Sequence, residues 1–477
     1  MRGLPATPAK ASLRTRRWDA VVLGSALPGL IAAIQIGRRG ARVLILEESG
    51  HNDAFPGLRE PFLMTGAAPD DVLGGCLRAL GLPLIDRRNV VHEPLAFQIA
   101  LPDARLDVGE PVWTGEEYTR WGFADSAQAS GLIRALTHAA QLERAAILAA
   151  PIVRSGRRPA LVARLAGEKG AGHVTRPPPD SARGLPDELR DAPPELTPLL
   201  EAQLHALSNL ASSPASEEAQ ARLLGAALEG GAVIADGPPW LRALLRRRIE
   251  ALFGEFRTVN GAFRLVAAAN QPGIALDESG EVWVGRTLVL NAPRAALATA
   301  IDQDPLPDLL SGPAPSLRRH RLHLTLPKSL IPEGMCDRVL LIGDPQRPIE
   351  GTNVVTLSVH RPRDSGAKKP ADLVASSVLS VSEADVAARE SEMLAAVRSL
   401  IPFDAERLER RPTTRPKWDD EELLIDPGPE GRASAFRLSI KPSCYVLDRG
   451  GVAGLGFEGD ILLGWRGGEA IAASLGG

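Results

Sequence analysis

The sequence predicts an α/β protein: a parallel sheet flanked by helices, joined to a second unit of mixed sheet and helices. Three observations predict it. Residues 18–48 run from an apolar strand through a glycine turn and a helix-period stretch into a second apolar strand. Residues 444–475 pass from a short strand through a glycine-rich loop into a final helix. Between these ends, strand-like runs at 263–290 and 319–360 alternate with helical segments, the pattern of layered sheet and helix.

The opening unit is the most informative. Val21–Leu23 lead into the turn Gly24, Ser25, Ala26, Leu27, Pro28, Gly29; a helical stretch follows to Arg39, and Gly40 caps it. Val43–Leu46 then end on Glu47 and Glu48. This is the Rossmann-like order that binds the ADP half of a dinucleotide. Gly24 permits the tight turn, Gly29 allows helix and strand to approach, and the helix N-terminus offers N–H groups to a pyrophosphate. Glu47 sits where a carboxylate can accept both ribose hydroxyls. Ala26 replaces the glycine whose backbone approaches the phosphate; its methyl fits if the loop backs away or keeps a helix-compatible backbone. The plainer reading of the same stretch is a parallel α/β unit that binds no nucleotide.

At 477 residues the chain is too long for one compact core. Its 44% hydrophobic and 24% charged residues are those of a globular protein. A net charge of −3 argues against nucleic acid as the main partner. The three cysteines, Cys76, Cys336 and Cys444, are far apart, so neither a zinc site nor a disulfide framework is expected, and a reducing cytoplasm is the expected compartment. No metal site is predicted. The basic stretch 1–17 reads as a frayed tail, and no apolar run of membrane-spanning length follows it.

In chain order, Asp70–Leu80 reads as a helix and 90–108 as a β-hairpin turning at Pro102 and Asp103. Residues 110–150 read as helical, 153–196 as a long loop or a reduced helical insertion, and 197–228 as helix interrupted near Ser212–Ser216. Pro239–Phe253 is a helix with Leu241, Leu244, Leu245, Ile249, Leu252 and Phe253 on one face. Arg246, Arg247 and Arg248 lie on the other side. That side admits a peripheral contact with anionic lipid; the preferred reading is a solvated face of a helix laid on a sheet. Strands follow at Phe263–Ala268, Val282–Val284 and Thr287–Leu290, and then at 319–326, 339–343 and 352–360. Ser382–Leu400 is a helix, and 411–430 a loop with a solvated acidic cluster, Asp419–Glu422. Tyr445–Leu447 is a strand ending at Asp448, before a loop carrying Gly450, Gly451, Gly454 and Gly456.

The two ends together resemble the flavin-dependent amine oxidase and phytoene desaturase superfamily, particularly its carotenoid-desaturase-like branch. The segments REPFLMTGAAPDDVLGGCLRALGLPL, GGAVIADGPPWLRALLRRRIEAL and NGAFRLVAAA resemble that family's intervening parts in order. The resemblance implies a Rossmann-like FAD-binding domain assembled from 18–110, 229–310 and 431–477. It also implies a substrate domain from the insertion 111–228 and from 311–430. It implies that Gly24–Gly29, Glu47, Glu48 and Arg59 serve the ADP half, with Arg59 as the survivor of a shortened Gly-Gly-Arg motif. Asp448 would bind the ribityl chain. Gly456, Phe457, Glu458, Gly459, Asp460 and Ile461 would lie under the flavin ring, where helix N–H groups suit the negative charge of reduced flavin. Leu447 stands where the family has a glycine.

The activity implied is transfer of a hydride from an apolar small-molecule substrate to flavin N5, with the electron acceptor unassigned. Such chemistry needs no acid–base dyad, and no catalytic residue is named. His320 and His323 read as framing a sheet end, and Trp113, Trp121, Trp418 and Trp465 as core residues in preference to the lining of an apolar cavity. The alternative is a non-catalytic binding protein for a lipid or prenylated partner, like the Rab GDP-dissociation inhibitors of the same superfamily.

Overall fold

The computed structural model describes residues 18–49, 55–149, 184–210, 216–235, 240–268, 271–277, 279–301, 316–361, 370–401, 404–413, 418, 439–441 and 443–475. The basic tail 1–17, most of the 153–196 loop and the acidic cluster Asp419–Glu422 lie outside them.

The first sheet is built on β1 (Trp18–Leu23) and β2 (Val43–Glu48), joined by the helix α1 (Leu27–Gly37). β1 pairs in parallel with β2 and with the Val282–Leu290 strand; the latter pairs in parallel with Cys444–Val446. Glu255–Val259 extends the other edge in parallel with β2. Parallel strands buried on both faces need continuous apolar runs, and Val21–Leu23 and Val43–Leu46 are fully covered. The chain's two ends therefore lie in one sheet.

The C-terminal helix Gly456–Leu475 lies across α1. Its Gly464 and Gly468 have no side chain to hold the two apart: a Cβ on Gly464 would sit 2.7 Å from the Pro28 carbonyl oxygen, and one on Gly468 2.7 Å from Ala32 Cα. This crossing anchors the first turn of the last helix beside the glycine turn of the first.

The second sheet has seven strands, in the order Glu409–Arg411, Leu317–Leu326, Ala371–Ser380, Val354–His360, Arg338–Ile342, Leu95–Ala100 and Arg105–Gly109. Its outer face is apolar, with Leu322, Leu324, Leu357 and Leu373 packed with Met393 and Val397 of the Val386–Ser399 helix. Asp385 caps that helix through the Ala388 N–H, so the acid at its start has a structural task.

Several expectations need correction. The predicted hairpin turns as expected, but only Leu95–Ala100 and Arg105–Gly109 form it. Val90–Glu93 departs to pair with Gly231–Ile234. Val282–Val284 and Thr287–Leu290 are one continuous strand, and the Gln271–Leu276 strand intervenes before it. The Leu241–Ala251 helix buries Leu241, Leu244, Leu245 and Ile249, but Phe253 lies past its end at φ +60° and is 88% exposed. The apolar period outruns the helix, which ends at Ala251. Trp113 and Trp121 are exposed, whereas Trp418 and Trp465 are buried. His320 and His323 point to opposite faces of one strand, to Glu390 and Asp372 respectively, and do not frame a sheet end. Among the described residues, no helix is long and apolar enough to cross a membrane.

Candidate functional site: the glycine turn and the cleft beside it

Gly24 adopts φ +93°, and its N–H donates to the Leu46 carbonyl at 2.8 Å. A Cβ at this position would overlap the Asn291 carbonyl oxygen. Asn291 braces the turn from the end of the adjacent strand: its N–H donates to Leu23 O at 2.9 Å and its Nδ2 to Ala26 O at 3.2 Å. Ala26, at φ −65° and ψ 160°, occupies an extended conformation open to any L residue, so its methyl group needs no glycine. Leu27, Pro28 and Gly29 form the first turn of α1, which contains no acidic residue. Its N–H groups and dipole favour an anion.

Two nearly buried guanidiniums converge on Ser25. Arg59 Nη1 donates to Ser25 Oγ at 2.9 Å, and Arg242 Nη1 donates to Ser25 O at 2.8 Å. Arg242 Nε also donates to Arg59 O at 3.0 Å. The arginines are 9% and 7% exposed and come from segments more than 180 residues apart. Glu60 fixes the helix that carries Arg242: its two carboxylate oxygens accept the N–H groups of Leu241 and Arg242, each at 3.1 Å. Sequence reasoning missed Arg242 because it sits inside an arginine-rich helix whose charges read as a solvated face.

At the end of β2, Glu47 is held by the Arg246 guanidinium at 2.9–3.1 Å, with Thr258 Oγ1 donating at 3.3 Å. Arg246 stacks over the Phe256 ring, 3.8 Å from its centroid. Glu48 instead accepts the Trp418 N–H at 2.9 Å.

At the other end, Asp448 accepts the Gly450 N–H at 3.0 Å and pairs with Arg294 at 2.7 Å. Asp460 accepts both arms of the Arg449 fork at 2.7 Å and Asn209 Nδ2 at 3.2 Å. Gly456 opens the last helix at φ +53°, Gly459 packs against Val452, and Ile461 is buried in the core that includes α1. Phe457 lines the cleft between the two units. Glu458 turns the other way, into a fully buried cluster. Arg222 donates to it at 2.6 and 2.7 Å and to Asp71 at 3.2 and 3.3 Å, and Thr65 Oγ1 donates to Glu458 at 2.8 Å. Burial alone would lower the Arg222 pKa, but Glu458, Asp71 and Glu229 together hold it above the ordinary value. Glu229, beside them, is pushed up by burial first, against the pull of Arg222. Nothing in the primary sequence links Arg222, Asp71 and Glu458, so this cluster was invisible there.

Two cavities adjoin the turn. One of about 30 Å³ lies against Ala26, Asn291, Arg294 and Asp448. The other, of about 60 Å³, lies between the units, against Leu27, Phe62 and Phe457 on one side and strands of the second sheet on the other.

FAD is the group this fold implies, and the residues fit it unevenly. A pyrophosphate matches the donor set at Ser25: two guanidiniums and an acid-free helix start. The remainder of a dinucleotide needs several hundred Å³. Arg246 lies on Glu47 and Arg294 on Asp448, so both pairs must open or share their carboxylates to admit ribose and ribityl groups.

No protein-family model matches the chain, and no curated protein sequence matches it. Solved structures do. An oxidoreductase from Methanosarcina mazei superposes with a TM-score of 0.55 at 16% identity, over 94% of this chain and 99% of its own. Cyclohexylamine oxidase from Brevibacterium oxydans IH-35A gives 0.54 at 14% identity, over 96% of this chain and all of its own. Wild-type putrescine oxidase bound to putrescine gives 0.54 at 13% identity, over 96% and 99%. At these identities the likeness shows the fold: the chain has the amine-oxidase-like α/β architecture that its two ends resemble.

Proposed function

We propose that the chain binds FAD across the Ser25 turn and acts as an oxidoreductase on a small molecule held in the cleft between its two units. The observation that carries this reading is the meeting of Arg59 and Arg242 at Ser25, beside the start of α1. Two buried cations beside an acid-free helix N-terminus form a dianion cradle. FAD, when bound, supplies acceptance of a hydride from substrate.

The chain's own residues bind and orient. Arg59, Arg242 and the first turn of α1 hold the pyrophosphate, Glu47 takes a ribose hydroxyl, and Asp448 takes a ribityl hydroxyl. The crossing of the last helix on α1 aims the N–H groups near Phe457 at the ring. Leu27, Phe62 and Phe457 give the cleft an apolar side, which supports a substrate with an apolar part and excludes water there.

A second reading is favoured by the two ion pairs Arg246–Glu47 and Arg294–Asp448. With both carboxylates paired, the chain keeps the fold as a binding protein for a lipid or prenylated partner without flavin turnover.

The visible absorption of the purified protein separates these readings. A yellow preparation, or one that takes up added FAD stoichiometrically, is the expected result, and anaerobic bleaching by a substrate completes it. A colourless protein that gains no flavin on incubation overturns the oxidoreductase reading in favour of the second.

A further inference from the structure

At the edge of the first sheet where β1 and β2 begin, three segments meet. Leu252 lies beside Gly37 at the end of α1, the Arg38 and Arg248 guanidiniums close on Gly81, and Arg247 pairs with Asp86 at 3.0 Å. The ends of α1 and of the Leu241–Ala251 helix therefore adjoin the short Leu84–Arg88 helix. The length of β1, about 20 Å, separates this edge from Ser25.

The edge exposes apolar side chains that folding does not call for. Phe253 follows the end of its helix in a Schellman turn: its N–H donates to Glu250 O and the Gly254 N–H to Ile249 O, each at 2.9 Å, with Phe253 at φ +60°. Glycine or asparagine suits that position, and a bulky side chain there is strained. The Phe253 ring is nevertheless 88% exposed and adds nothing to the core. Leu84 and Ile85, on the neighbouring helix, are 54% and 72% exposed. Apolar side chains gathered in this way mark a surface that something covers.

The charge around them is one-sided. Arg246 and Arg247 are neutralised by Glu47 and Asp86. Arg38, Arg39, Arg87, Arg88 and Arg248 have no carboxylate partner among the described residues; Arg38 and Arg248 donate to the carbonyls of Ala79 and Leu80. Residues 1–17, basic and without an acid, join β1 at the same edge, where Asp19 accepts the Arg42 N–H at 2.8 Å. The chain as a whole carries a net charge of −3, so this local excess of cations runs against its balance. A second copy of the chain would set the same guanidiniums against one another, and a nucleic acid would leave the apolar side chains uncovered. An anionic bilayer satisfies both sets: phosphates for the arginines, acyl chains for the apolar groups.

We propose that this edge docks on an anionic membrane, with Phe253, Leu84 and Ile85 entering the interface and the unpaired arginines resting on lipid phosphates. The contact is peripheral: no described helix is long and apolar enough to cross a bilayer. Docking does not depend on flavin, because Ser25 lies at the opposite end of the parallel strands.

Flotation of the full chain with vesicles is the test, using phosphatidylcholine alone and phosphatidylcholine mixed with phosphatidylglycerol, at low and high salt. Binding to the mixed vesicles is expected to be about tenfold or more tighter than to the neutral ones, and to weaken as salt rises. Phe253→Asn keeps a residue suited to the left-handed turn and should weaken binding about tenfold, the loss of one inserted ring. Arg39→Gln and Arg88→Gln should each weaken it about fivefold. Unfolding midpoints and flavin content should not fall in these variants. Equal binding to both vesicles, or none to the mixed ones, would overturn the proposal. So would unchanged binding in the folded variants, which would leave residues 1–17 as the carrier. Tighter binding to heparin than to mixed vesicles, with Phe253→Asn without effect, would replace the membrane with a soluble polyanion. A flavin-free protein that still binds mixed vesicles through Phe253 loses the oxidoreductase reading and keeps the docking surface.

Discussion

At the scale of single residues, the glycine turn separates two positions that look equivalent in a glycine motif. Gly24 sits at φ +93° with no room for a Cβ beside Asn291, whereas Ala26 sits at φ −65°. Gly24→Ala is therefore expected to lower stability by about 2 kcal/mol or more, from strain at positive φ plus overlap with the Asn291 carbonyl. Ala26→Gly should change it by less than about 1 kcal/mol, through the unfolded chain alone. Urea unfolding midpoints of the two variants check both; equal effects would contradict the distinction. The motif as a string told where the turn lies, but only the backbone angles tell which of its residues must be glycine.

Two histidines give the protein an acid-sensitive side. His205 and His360 are each held down to about 4 from an ordinary 6.5, first by burial; Arg319 adds to the effect on His205, and Arg338 and His323 add to it on His360 against Asp372. The unfolded chain takes up protons at these groups as pH falls through about 6.5, while the folded chain does not. Their contribution is complete above that value and is lost as pH falls toward about 4. Unfolding midpoints should drop over this window, and His360→Gln should flatten the slope. An unchanged slope in that variant would remove His360 from the account.

At the scale of elements, the C-terminal helix is held at its start by charge and along its length by glycine packing. Arg222 bridges Asp71, which caps the Val72–Ala79 helix, and Glu458, in the first turn of the last helix. Arg222→Met leaves the buried Glu458 without its cation and Asp71 with Arg144 alone, and should cost about 3–5 kcal/mol. Measured by urea unfolding, a cost below about 1 kcal/mol would show that the cluster does not fix the helix. Periodicity made the elements themselves legible: the α1 stretch, the Leu241–Ala251 helix and the parallel strands all follow from apolar spacing. Their ion pairs did not follow from it. Arg242 and Arg246 lie on one short helix, yet one reaches Ser25 and the other Glu47. Which cation meets which partner depends on the tertiary packing of segments far apart in sequence.

At the scale of the whole molecule, the strands near the two chain ends enter the parallel core of one sheet, and the intervening segments return to lay a second sheet over the same turn. The convergence of ends was legible because both carry a strand and a glycine loop. The polar face of the second sheet was not, since the basic run Arg318, Arg319, His320 and Arg321 reads equally well as a solvated edge. The same organisation places the cradle at Ser25 and the cleft lined by Arg321 on either side of Leu27.

The proposed function stands or falls on Ser25, Arg59 and Arg242 forming a pyrophosphate site for FAD. Calorimetric titration of the purified, flavin-stripped chain with FAD tests it most directly, with Arg242→Gln measured beside the parent. One FAD per chain is expected, with an affinity about tenfold or more weaker in the variant, the loss of one charge-assisted contact to phosphate. No binding to the parent chain, or equal affinity in a folded Arg242→Gln, would contradict it.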